Sequence, residues 1–510
     1  MSDVTYPDAT TRRFLTFSVM TATIMNALDS TIANVALPHI QGSVSASQDE
    51  ITWVLTSYIV SAAIFTPLTG WLAGRFGRKR LMQVSIIGFT IASALCGIAT
   101  NIGELVAFRM LQGMFGAALV PMSQAILLDI NPPERHGSAM AIWGMGAVLG
   151  PIVGPALGGW LTDNLTWRWV FYINLPVGIV TFMGISAFLS ETEDEEKRSL
   201  DFFGFALLAL GIGALQLMLD RGQQQDWFSS TEIWIEALAA AFFLYLFLVH
   251  IMTAKKPFIE LGLFADRNFV LGSIFGFFIG VVVFSVLALL PPMLEQLMGY
   301  PVVLTGLVTA PRGVGTMVSM MLVGQLIRRY DTRLLILSGL ILCAVSMHTM
   351  SGFSLGMDER PIIMSGFIQG LGTGLVFVPL STLAFATLDQ RLRNEGAAMF
   401  TLIRNLGSAI GISVVQAMTI RNTATVHSRL VEGIRPDNPL LSWQMPDFDF
   451  NLPSAVARLN AEITRQAAMV AYIDTYWALF IVTLLMMPML LFMRSARHKP
   501  TEDDFAFHME

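Results

Sequence analysis

Fourteen stretches of the chain are apolar along most of their length, and short polar segments separate them. A bilayer core about 30 Å thick needs roughly 20 apolar residues per helix, because lipid offers the backbone no hydrogen-bond partner. The pattern therefore predicts an all-α integral membrane protein with fourteen spans, near residues 14–37, 51–73, 81–100, 104–128, 138–161, 170–189, 203–219, 232–252, 269–291, 302–327, 334–353, 361–386, 396–420 and 475–493.

The composition agrees with a membrane protein and argues against several other classes. Hydrophobic residues make up 54% of the 510 residues and charged residues 13%, whereas a soluble globular chain carries roughly a quarter charged residues. The two cysteines, Cys96 and Cys343, each lie inside an apolar run and are interpreted as small packing residues, so redox chemistry is not expected. The net charge of -6 comes partly from the acidic stretch 191–196 and gives no reason to expect a nucleic-acid partner.

The positive charges predict how the spans are oriented. Short loops rich in Lys and Arg tend to stay cytoplasmic, and 20 of the 31 Lys and Arg residues share one side if the amino terminus is cytoplasmic. Only eight fall outside, and five of these lie in one long external loop, 421–472, where the charge rule is weak. The polar start runs directly into a full-length apolar segment without a cleavage site, so a cleaved signal peptide is not expected. Both termini are predicted to be cytoplasmic.

The second half of the chain repeats segments of the first half in the same order, with offsets of 254 to 259 residues. The repeated segments begin at Gly70, Gln112 and His136 in the first half and at Gly324, Gln369 and Glu395 in the second. Such duplication is typical of transporters whose substrate site lies between two related halves. The predicted organisation is a cytoplasmic N-terminus (1–13), a six-helix bundle (14–190), a two-helix insertion with flanking loops (191–268), a second six-helix bundle that includes loop 421–472 (269–493) and a cytoplasmic tail (494–510).

Two ionisable residues, Asp29 and Arg109, lie inside predicted spans of the first half. An ionisable group at membrane depth is unfavourable unless it has a partner or a function, so both are expected in a proton-coupling site. In this interpretation Asp29 exchanges a proton, while Arg109 biases the charge of a neighbour or holds a backbone carbonyl. The alternative is structural: a hydrogen-bonded Asp29 near the end of its span, and an ion pair of Arg109 with Asp29 or Glu104.

Four further polar residues in predicted spans are candidates for the lining of a substrate cavity. They are Asn34, Gln112, Gln369 and Arg404. Gln112 shares a helical face with Arg109, and Gln369 holds the repeated position in the second half. Arg404, like Arg312, could instead tie helices together through backbone carbonyls.

Glycine recurs at every fourth position of the fifth predicted span. The antiporter-motif hinge comprises Gly146, Gly150, Pro151, Gly154, Pro155, Gly158 and Gly159. Small residues at this spacing let two membrane helices approach closely, and proline permits bending. The stripe therefore predicts a tightly packed, bendable hinge, and ordinary tight packing would give the same pattern.

The loop that follows the second span carries four positive charges within residues 74–80. A tight glycine turn that presents arginines could pair with helix ends or with acids of the other half and close the cytoplasmic side. The expected cytoplasmic gate consists of Gly70, Arg75, Gly77, Arg78 and Arg80. The alternative is a topology anchor that only fixes the loop in the cytoplasm.

Soluble-enzyme motifs lack their structural context in this chain. Residues 352–356 match a nucleophile-elbow pattern and residues 370–374 faintly match a phosphate loop, but neither follows a predicted strand. No Walker A sequence and no histidine cluster with metal-ligand spacing occurs in the sequence. We therefore expect no metal and no cofactor. An intramembrane enzyme would need paired acids or a nucleophile with a base, and a channel would need repeated rings of like residues.

The end of the external loop predicts an amphipathic helix that begins after Ser454, which could cap it. Its apolar positions are Val456, Leu459, Ile463, Ala467, Val470 and Ile473. This stripe has to be buried, either against the spans of the transporter itself or against another protein.

In combination these motifs resemble the major facilitator superfamily, and within it the fourteen-helix drug:proton antiporters of the EmrB and QacA type. The matching segments are 28–38, 70–80, 105–116, 144–159, 167–176 and 219–227. The last two are the most specific for the EmrB-like branch. One departure is Gly74, which stands where the loop motif usually has an acid, so the role of that acid as a latch cannot be carried over.

The resemblance implies proton-coupled efflux of amphipathic small molecules by alternating access, driven by the proton gradient without a cofactor. It places Asp29 and Arg109 in the coupling region. It also implies a bacterial inner membrane, a periplasmic adaptor of the EmrA type and an outer-membrane channel. The alternative is an exporter of one endogenous metabolite or siderophore that uses the same machinery.

Overall fold

The structure, a computed structural model, describes residues 6–132, 135–191, 200–255, 257–435 and 452–493. Helices dominate these ranges, because apolar segments in lipid must satisfy their backbone hydrogen bonds internally. The first half contains α1 (Ala9–Val44), α2 (Gln48–Phe65), α3 (Leu68–Phe76), α4 (Arg78–Ile98), α5 (Ile102–Gly116), α6 (Leu119–Asp129), α7 (His136–Asn164), α8 (Trp169–Tyr172) and α9 (Asn174–Phe188).

The remaining helices form the insertion and the second half. They are α10 (Phe202–Arg221), α11 (Thr231–Thr253), α12 (Gly262–Ala265), α13 (Arg267–Pro292), α14 (Val302–Arg329), α15 (Thr332–Met350), α16 (Arg360–Phe385), α17 (Arg393–Glu432) and α18 (Pro453–Met486). Polar side chains cap several N-termini, as Ser47 does for α2 and Asp266 for α13.

The helices account for every predicted span. Twelve helices in the described ranges are long and apolar enough to cross a membrane, and the bent pair Glu50–Phe65 and Leu68–Phe76 raises the number to thirteen. α1 is less apolar but has 36 residues, which is ample length for a span. Each of the fourteen predicted segments falls on a helix or a helix pair. The chain is a multi-pass membrane protein, and the predicted all-α fold is confirmed.

The two halves repeat one packing arrangement. In the first half α1 packs against α7, and α5 packs against both α2 and α4. In the second half α13 packs against α17, and α16 packs against both α14 and α15. The same arrangement therefore occurs twice in the same order, as the repeated sequence segments predict.

The halves meet at the end of the bundle that carries Arg78, which we call the Arg78 end. A Cβ atom on Gly70 would lie 2.8 Å from the Cα of Glu395, and one on Gly324 would lie 3.2 Å from the Cα of Ser138. Gly70 and Gly324 begin one pair of repeated segments. Two close contacts therefore join the halves at this end. The glycines that make them, Gly70 and Gly324, hold corresponding positions in the repeated segments.

The insertion joins both halves. α10 pairs with α11, and it also packs against α2 of the first half and α17 of the second. Its last turn is fixed on both sides, because Thr56 donates a hydrogen bond to Asp220, and Ser413 donates one of 2.7 Å to the carbonyl of Leu219.

The predicted external loop, 421–472, is helical at both described ends. The helix predicted at its end is confirmed, although it begins at Pro453 and Ser454 does not cap it, whereas the helical extension of α17 was not predicted. α17 continues to Glu432, and α18 runs without a break from Pro453 into the last span. Residues 436–451 of the loop lie outside the described ranges. The two helix extensions pack as a pair, and His427 and Asn460 are joined by a hydrogen bond of 2.9 Å.

Candidate functional site

Asp29 and Arg109 form a fully buried ion pair in the first half. Arg109 Nη1 donates to Asp29 Oδ2 at 2.7 Å, and the side chains are 1% and 0% exposed, respectively. The pair joins α1 to α5. The structure therefore contains the Arg109–Asp29 ion pair that the structural alternative expects. The role of this pair in proton coupling stays a prediction.

Two amides complete the surroundings of the carboxylate. Gln112 Nε2 and Asn174 Nδ2 each donate to Asp29 Oδ1 at 2.8 Å, and Gln112 Oε1 also accepts from Arg109 at 2.7 Å. Asn174 donates in addition to Ser93 Oγ at 2.9 Å. The network therefore ties α1, α4, α5 and α9 to one carboxylate.

Arg109 is held by more than its counter-ion. Its Nε donates to the carbonyl of Val54 at 3.0 Å, and its guanidinium lies 4.2 Å from the ring centroid of Tyr58. A planar guanidinium can stack and donate at the same time, which an ammonium cannot do. Arg109 thus fixes α2 to the same network, as the sequence interpretation of a held carbonyl anticipated.

The sequence did not single out Asn174 and Ser93. Asn174 lies in the segment 167–176, which was noted only as a mark of the family branch, and Ser93 is one short polar residue in an apolar span. Both are buried, at 1% and 0% exposed. Short polar side chains are common in membrane helices, so only the packing of α4 and α9 against α1 reveals their partner.

The four cavity candidates do not share one location. Gln112 is 0% exposed inside the Asp29 network and does not line an open cavity. Asn34 is exposed on α1, and Arg404 is half-buried on α17, 5.5 Å from the centroid of Phe377. Gln369 is 0% exposed within the second half. Gln112 belongs to the Asp29 network in this structure, because the face it shares with Arg109 points into the bundle, and its role as a cavity residue stays a prediction.

The glycine stripe forms the seam between α7 and α1. A Cβ atom on Gly150 would lie 2.5 Å from the carbonyl carbon of Ala27, and one on Gly154 would lie 2.3 Å from Thr31 Oγ1. Gly146 and Gly158 face the same helix at Ile24 and Ile32. Pro155 is exposed and Gly159 half-buried, whereas the side chain of Pro151 lies outside the described part. The glycine stripe therefore packs closely against the turn of α1 that carries Asp29.

One acid at the Arg78 end links the two halves. Asp129, at the end of α6, forms an ion pair with Arg78 and accepts a hydrogen bond from Arg393 of the second half at 2.8 Å. All three side chains are less than one fifth exposed. Arg78 was expected to pair with an acid of the other half, but its partner Asp129 belongs to the same half. Arg393 makes the contact between the halves. We call these three residues the Asp129 bridge.

The other gate candidates play smaller parts in this contact. Gly77 has a φ of +84°, which glycine adopts without strain. Arg80 lies 3.7 Å from Glu191 and is 73% exposed, so the pair contributes little. Arg75 pairs with no acid among the described residues. Gly70 is the close contact with Glu395 described above.

Asp129→Asn is expected to weaken the closure of the Arg78 end. The amide removes the charge that Arg78 and Arg393 share and leaves two guanidinium groups beside each other, which repel. The population of molecules open at this end should rise several-fold.

Spin labels at Phe76 and Tyr330, exposed residues at this end in the two halves, report the opening as a longer interlabel distance. Asp389→Asn is the matched control, because Asp389 is 57% exposed and forms an ion pair with the exposed Arg391 of its own half. Identical distance distributions for Asp129→Asn and wild type would show that the bridge does not hold the halves.

Comparison with known proteins agrees with this architecture. A family model described as the Major Facilitator Superfamily matches residues 19–412. The multidrug export protein EmrB of Haemophilus influenzae is 36% identical over 468 residues, which cover 91% of this chain and 92% of that protein. The fatty acid resistance protein FarB of Neisseria gonorrhoeae is 35% identical over 479 residues, covering 93% and 94%.

Solved structures show the same fold. The proton:xylose symporter XylE superposes with a TM-score of 0.62 at 13% identity, covering 98% of this chain and 100% of that one. The family model and the relatives extend over most of the chain and confirm the resemblance that the motifs carry. The chain belongs to the Major Facilitator Superfamily, in its EmrB-like branch of multidrug exporters.

Proposed function

We propose that the chain exports amphipathic small molecules in exchange for protons, by alternating access between the two sides of an inner membrane. The observation that carries this proposal is the buried carboxylate of Asp29, which is held by three donors from two other helices, α5 and α9. An ionisable group in a membrane interior is a functional candidate by default. No cofactor is needed, since the proton gradient supplies the free energy.

Protonation of Asp29 would change the network in a defined way. A neutral acid no longer balances the charge of Arg109, and its proton removes one acceptor position from the donors around it. Arg109 then stays buried without a counter-charge, which is strongly unfavourable. The helices around Asp29 have to rearrange, and this rearrangement is the step that the proton drives.

The hinge α7 connects this site with the contact between the halves. At Gly150 and Gly154 α7 packs on the turn of α1 that carries Asp29. Farther toward the Arg78 end, Trp143 of α7 stacks on Phe377 of α16, with ring centroids 5.7 Å apart. Because α7 is one continuous helix, a shift of α7 against α1 would also move Trp143 where it contacts the other half. This is a mechanical path for alternating access.

Orientation and substrates follow from independent features. The bias of positive charges supports a cytoplasmic Arg78 end and cytoplasmic termini, so the structure corresponds to a state closed toward the cytoplasm. The names of the relatives, multidrug export protein EmrB and fatty acid resistance protein FarB, support amphipathic substrates. Export of a single endogenous compound remains the alternative within the same mechanism.

The helical pair formed by the ends of α17 and α18 is proposed as the docking site for a periplasmic adaptor of the EmrA type, which would connect to an outer-membrane channel. Its tip exposes four apolar side chains that are between 40% and 51% exposed: Leu430, Val431, Leu452 and Val456. Ile463 and Ala467, by contrast, are buried against the transporter itself. The predicted stripe is thus divided, because Ile463 and Ala467 are buried while Val456 at the tip and Val470 farther along α18 are exposed, and we assign partner binding to the tip.

Leu430→Asp together with Val456→Asp is expected to spare export into the external compartment and to abolish resistance of whole cells. Both charges fall on the exposed tip, where they disfavour an apolar interface. Export is measured in inverted vesicles and resistance in intact cells. Ile463→Asp is the contrast variant, because a charge at this buried position should lower the protein level and both readouts together. If cells with the tip variant kept full resistance, the tip would not be the binding site of the partner protein.

Inverted membrane vesicles test the proposed function directly. Vesicles that contain the protein should accumulate chemically varied amphiphiles when a proton gradient is imposed, and each addition of substrate should release protons from the vesicle lumen. Accumulation of one compound alone from a varied panel would favour the single-substrate alternative. Accumulation that persists without any proton gradient would contradict antiport.

A further inference from the structure

The segment 219–227 distinguishes the EmrB-like branch, and the Asp29 network does not include it. α10 ends in this segment, and its last turn contacts α2 through two side chains. Thr56 of α2, which is 2% exposed, donates a hydrogen bond to Asp220. The guanidinium of Arg221 lies 5.2 Å from the ring centroid of Trp53. The insertion therefore holds α2 at two positions that are three residues apart.

The same stretch of α2 holds Arg109 on another face. Arg109 Nε donates to the carbonyl of Val54 at 3.0 Å, and its guanidinium lies 4.2 Å from the ring centroid of Tyr58. Helical neighbours are three or four residues apart, so the side chains at 53 and 56 share one face and those at 54 and 58 share another. We call residues 53–58 the α2 segment. It contacts the insertion on one side and the partner of Asp29 on the other.

The α2 segment and α5 are packed too closely to slide past each other. A Cβ atom on Gly113 would lie 2.4 Å from the carbonyl oxygen of Tyr58. Ser61 Oγ also donates to the carbonyl of Met110 at 2.7 Å. Backbone atoms make both contacts, and backbone does not yield as a flexible side chain does. A displacement of the α2 segment therefore also moves Arg109 relative to α1.

The last turn of α10 is attached to the second half as well. Ser413 of α17, which is 7% exposed, donates a hydrogen bond of 2.7 Å to the carbonyl of Leu219. This carbonyl is one of the last four of α10, which have no partner within the helix. Leu219 and Asp220 are adjacent, so one turn of the insertion contacts both halves. When the halves move against each other, this turn cannot keep both contacts unchanged.

We propose that Asp220 is a positioning residue for proton coupling: through Thr56 it holds the α2 segment, and thereby Arg109, in place against Asp29. The inference rests on the proposed exchange of a proton at Asp29, and it adds the insertion to the coupling machinery. Because the turn that carries Asp220 also contacts the second half, a movement of the halves would reach the coupling pair through α2.

Loss of the contact between Thr56 and the insertion has a defined effect on the coupling pair. Arg109 is the charged group that faces Asp29, and the titratable side chains beside the pair are Tyr58 of α2 and Cys96 of α4. A carboxyl group holds its proton more tightly when the opposite charge beside it is less well placed. Without the contact, Asp29 should therefore keep its proton up to a higher pH.

Infrared difference spectroscopy of the purified full-length protein in detergent, titrated with acid, tests the positioning role. The C=O stretching band of protonated Asp29 is assigned by its absence from the double variant Asp29→Asn with Arg109→Gln. In Thr56→Val the midpoint of this band should rise by about one pH unit, which is a tenfold change in proton affinity. The variant leaves every charge of the chain in place, so the shift reports geometry. Thr56→Ser keeps the hydroxyl and should titrate like wild type.

Thr483→Val is the matched control. Thr483 is 1% exposed, and its hydroxyl donates to the carbonyl of Leu479 in its own helix at 2.8 Å. The control loses the same hydroxyl from a buried position of α18, and it should keep the wild-type midpoint.

Asp220→Leu is the second variant if Thr56→Val does not yield folded protein. The charge beside Asp220 is Arg221, which also interacts with Glu232 and Glu236 of α11. Loss of a negative charge by itself favours the charged form of Asp29 and would lower the midpoint. Loss of positioning raises it, so a higher midpoint in Asp220→Leu still supports the proposal and a lower one contradicts it.

The outcomes separate the positioning role from the proposed function. A wild-type midpoint in folded Thr56→Val, an equal shift in Thr483→Val or a failed rescue by Thr56→Ser would each overturn the role of Asp220. A lower melting temperature with an unchanged midpoint would show that Asp220 only docks the insertion. If no band distinguishes wild type from the double variant at any pH, Asp29 does not exchange a proton, and the proposed coupling step fails together with the inference.

Discussion

Asp29→Asn is expected to abolish proton-driven accumulation of substrate in inverted vesicles. The amide has the shape of the carboxylate but cannot exchange a proton, so the coupling step is lost. It also leaves the fully buried Arg109 without its counter-ion. Removal of one partner of a buried pair costs about 3–5 kcal/mol, so the single variant should also melt at a lower temperature in detergent.

A double variant separates coupling from stability. Asp29→Asn combined with Arg109→Gln removes both charges and leaves amides that can hydrogen-bond to each other and to Gln112. The melting temperature should recover most of the loss, whereas proton-driven accumulation should stay absent. Recovery of transport together with stability would show that Asp29 serves only the structure of the first half.

Gly150→Ala is expected to reduce the initial rate of export by more than about tenfold, because it forces α7 away from α1. The added methyl group would lie 2.5 Å from the carbonyl carbon of Ala27, and backbone cannot yield as a flexible side chain can. The rate is measured in inverted vesicles at matched protein level.

Gly159→Ala is the matched control for the stripe. It adds the same methyl group to the same helix, but its nearest neighbour is Val35 Cγ1 at 3.8 Å, an ordinary contact. This variant should export at nearly the wild-type rate. Equal rates for the variants at 150 and 159 would mean that close packing of α7 on α1 does not limit transport.

The features of the molecule that could be predicted are those that depend on residues close together in the sequence. Long apolar runs locate the spans because few other structures tolerate them, and a lone acid such as Asp29 stands out because charged groups are rare at membrane depth. The four-residue spacing of the glycines likewise fixes which face of α7 makes close contact. These features are read from residues that are near one another in the chain.

The sequence could not reveal contacts between distant elements. Asp129 lies at the end of a span, next to Leu128 and Ile130, and its partner Arg393 follows 264 residues later. The direction in which the Gln112 side chain points could not be predicted, because it depends on which helices pack against α5. The extension of α17 into the external loop was not predicted, because the charges at Arg421 and Arg429 lower the hydropathy where the helix leaves the apolar region, although the helix itself continues.

The most direct test of the central claim is the release of protons when substrate binds to the purified protein in weakly buffered detergent solution. If Asp29 exchanges its proton for substrate, wild type should release protons on addition of substrate, and the double variant Asp29→Asn with Arg109→Gln should release none while it still binds substrate. Equal proton release from wild type and from the folded double variant would contradict the account, because the exchanged proton would then come from another group.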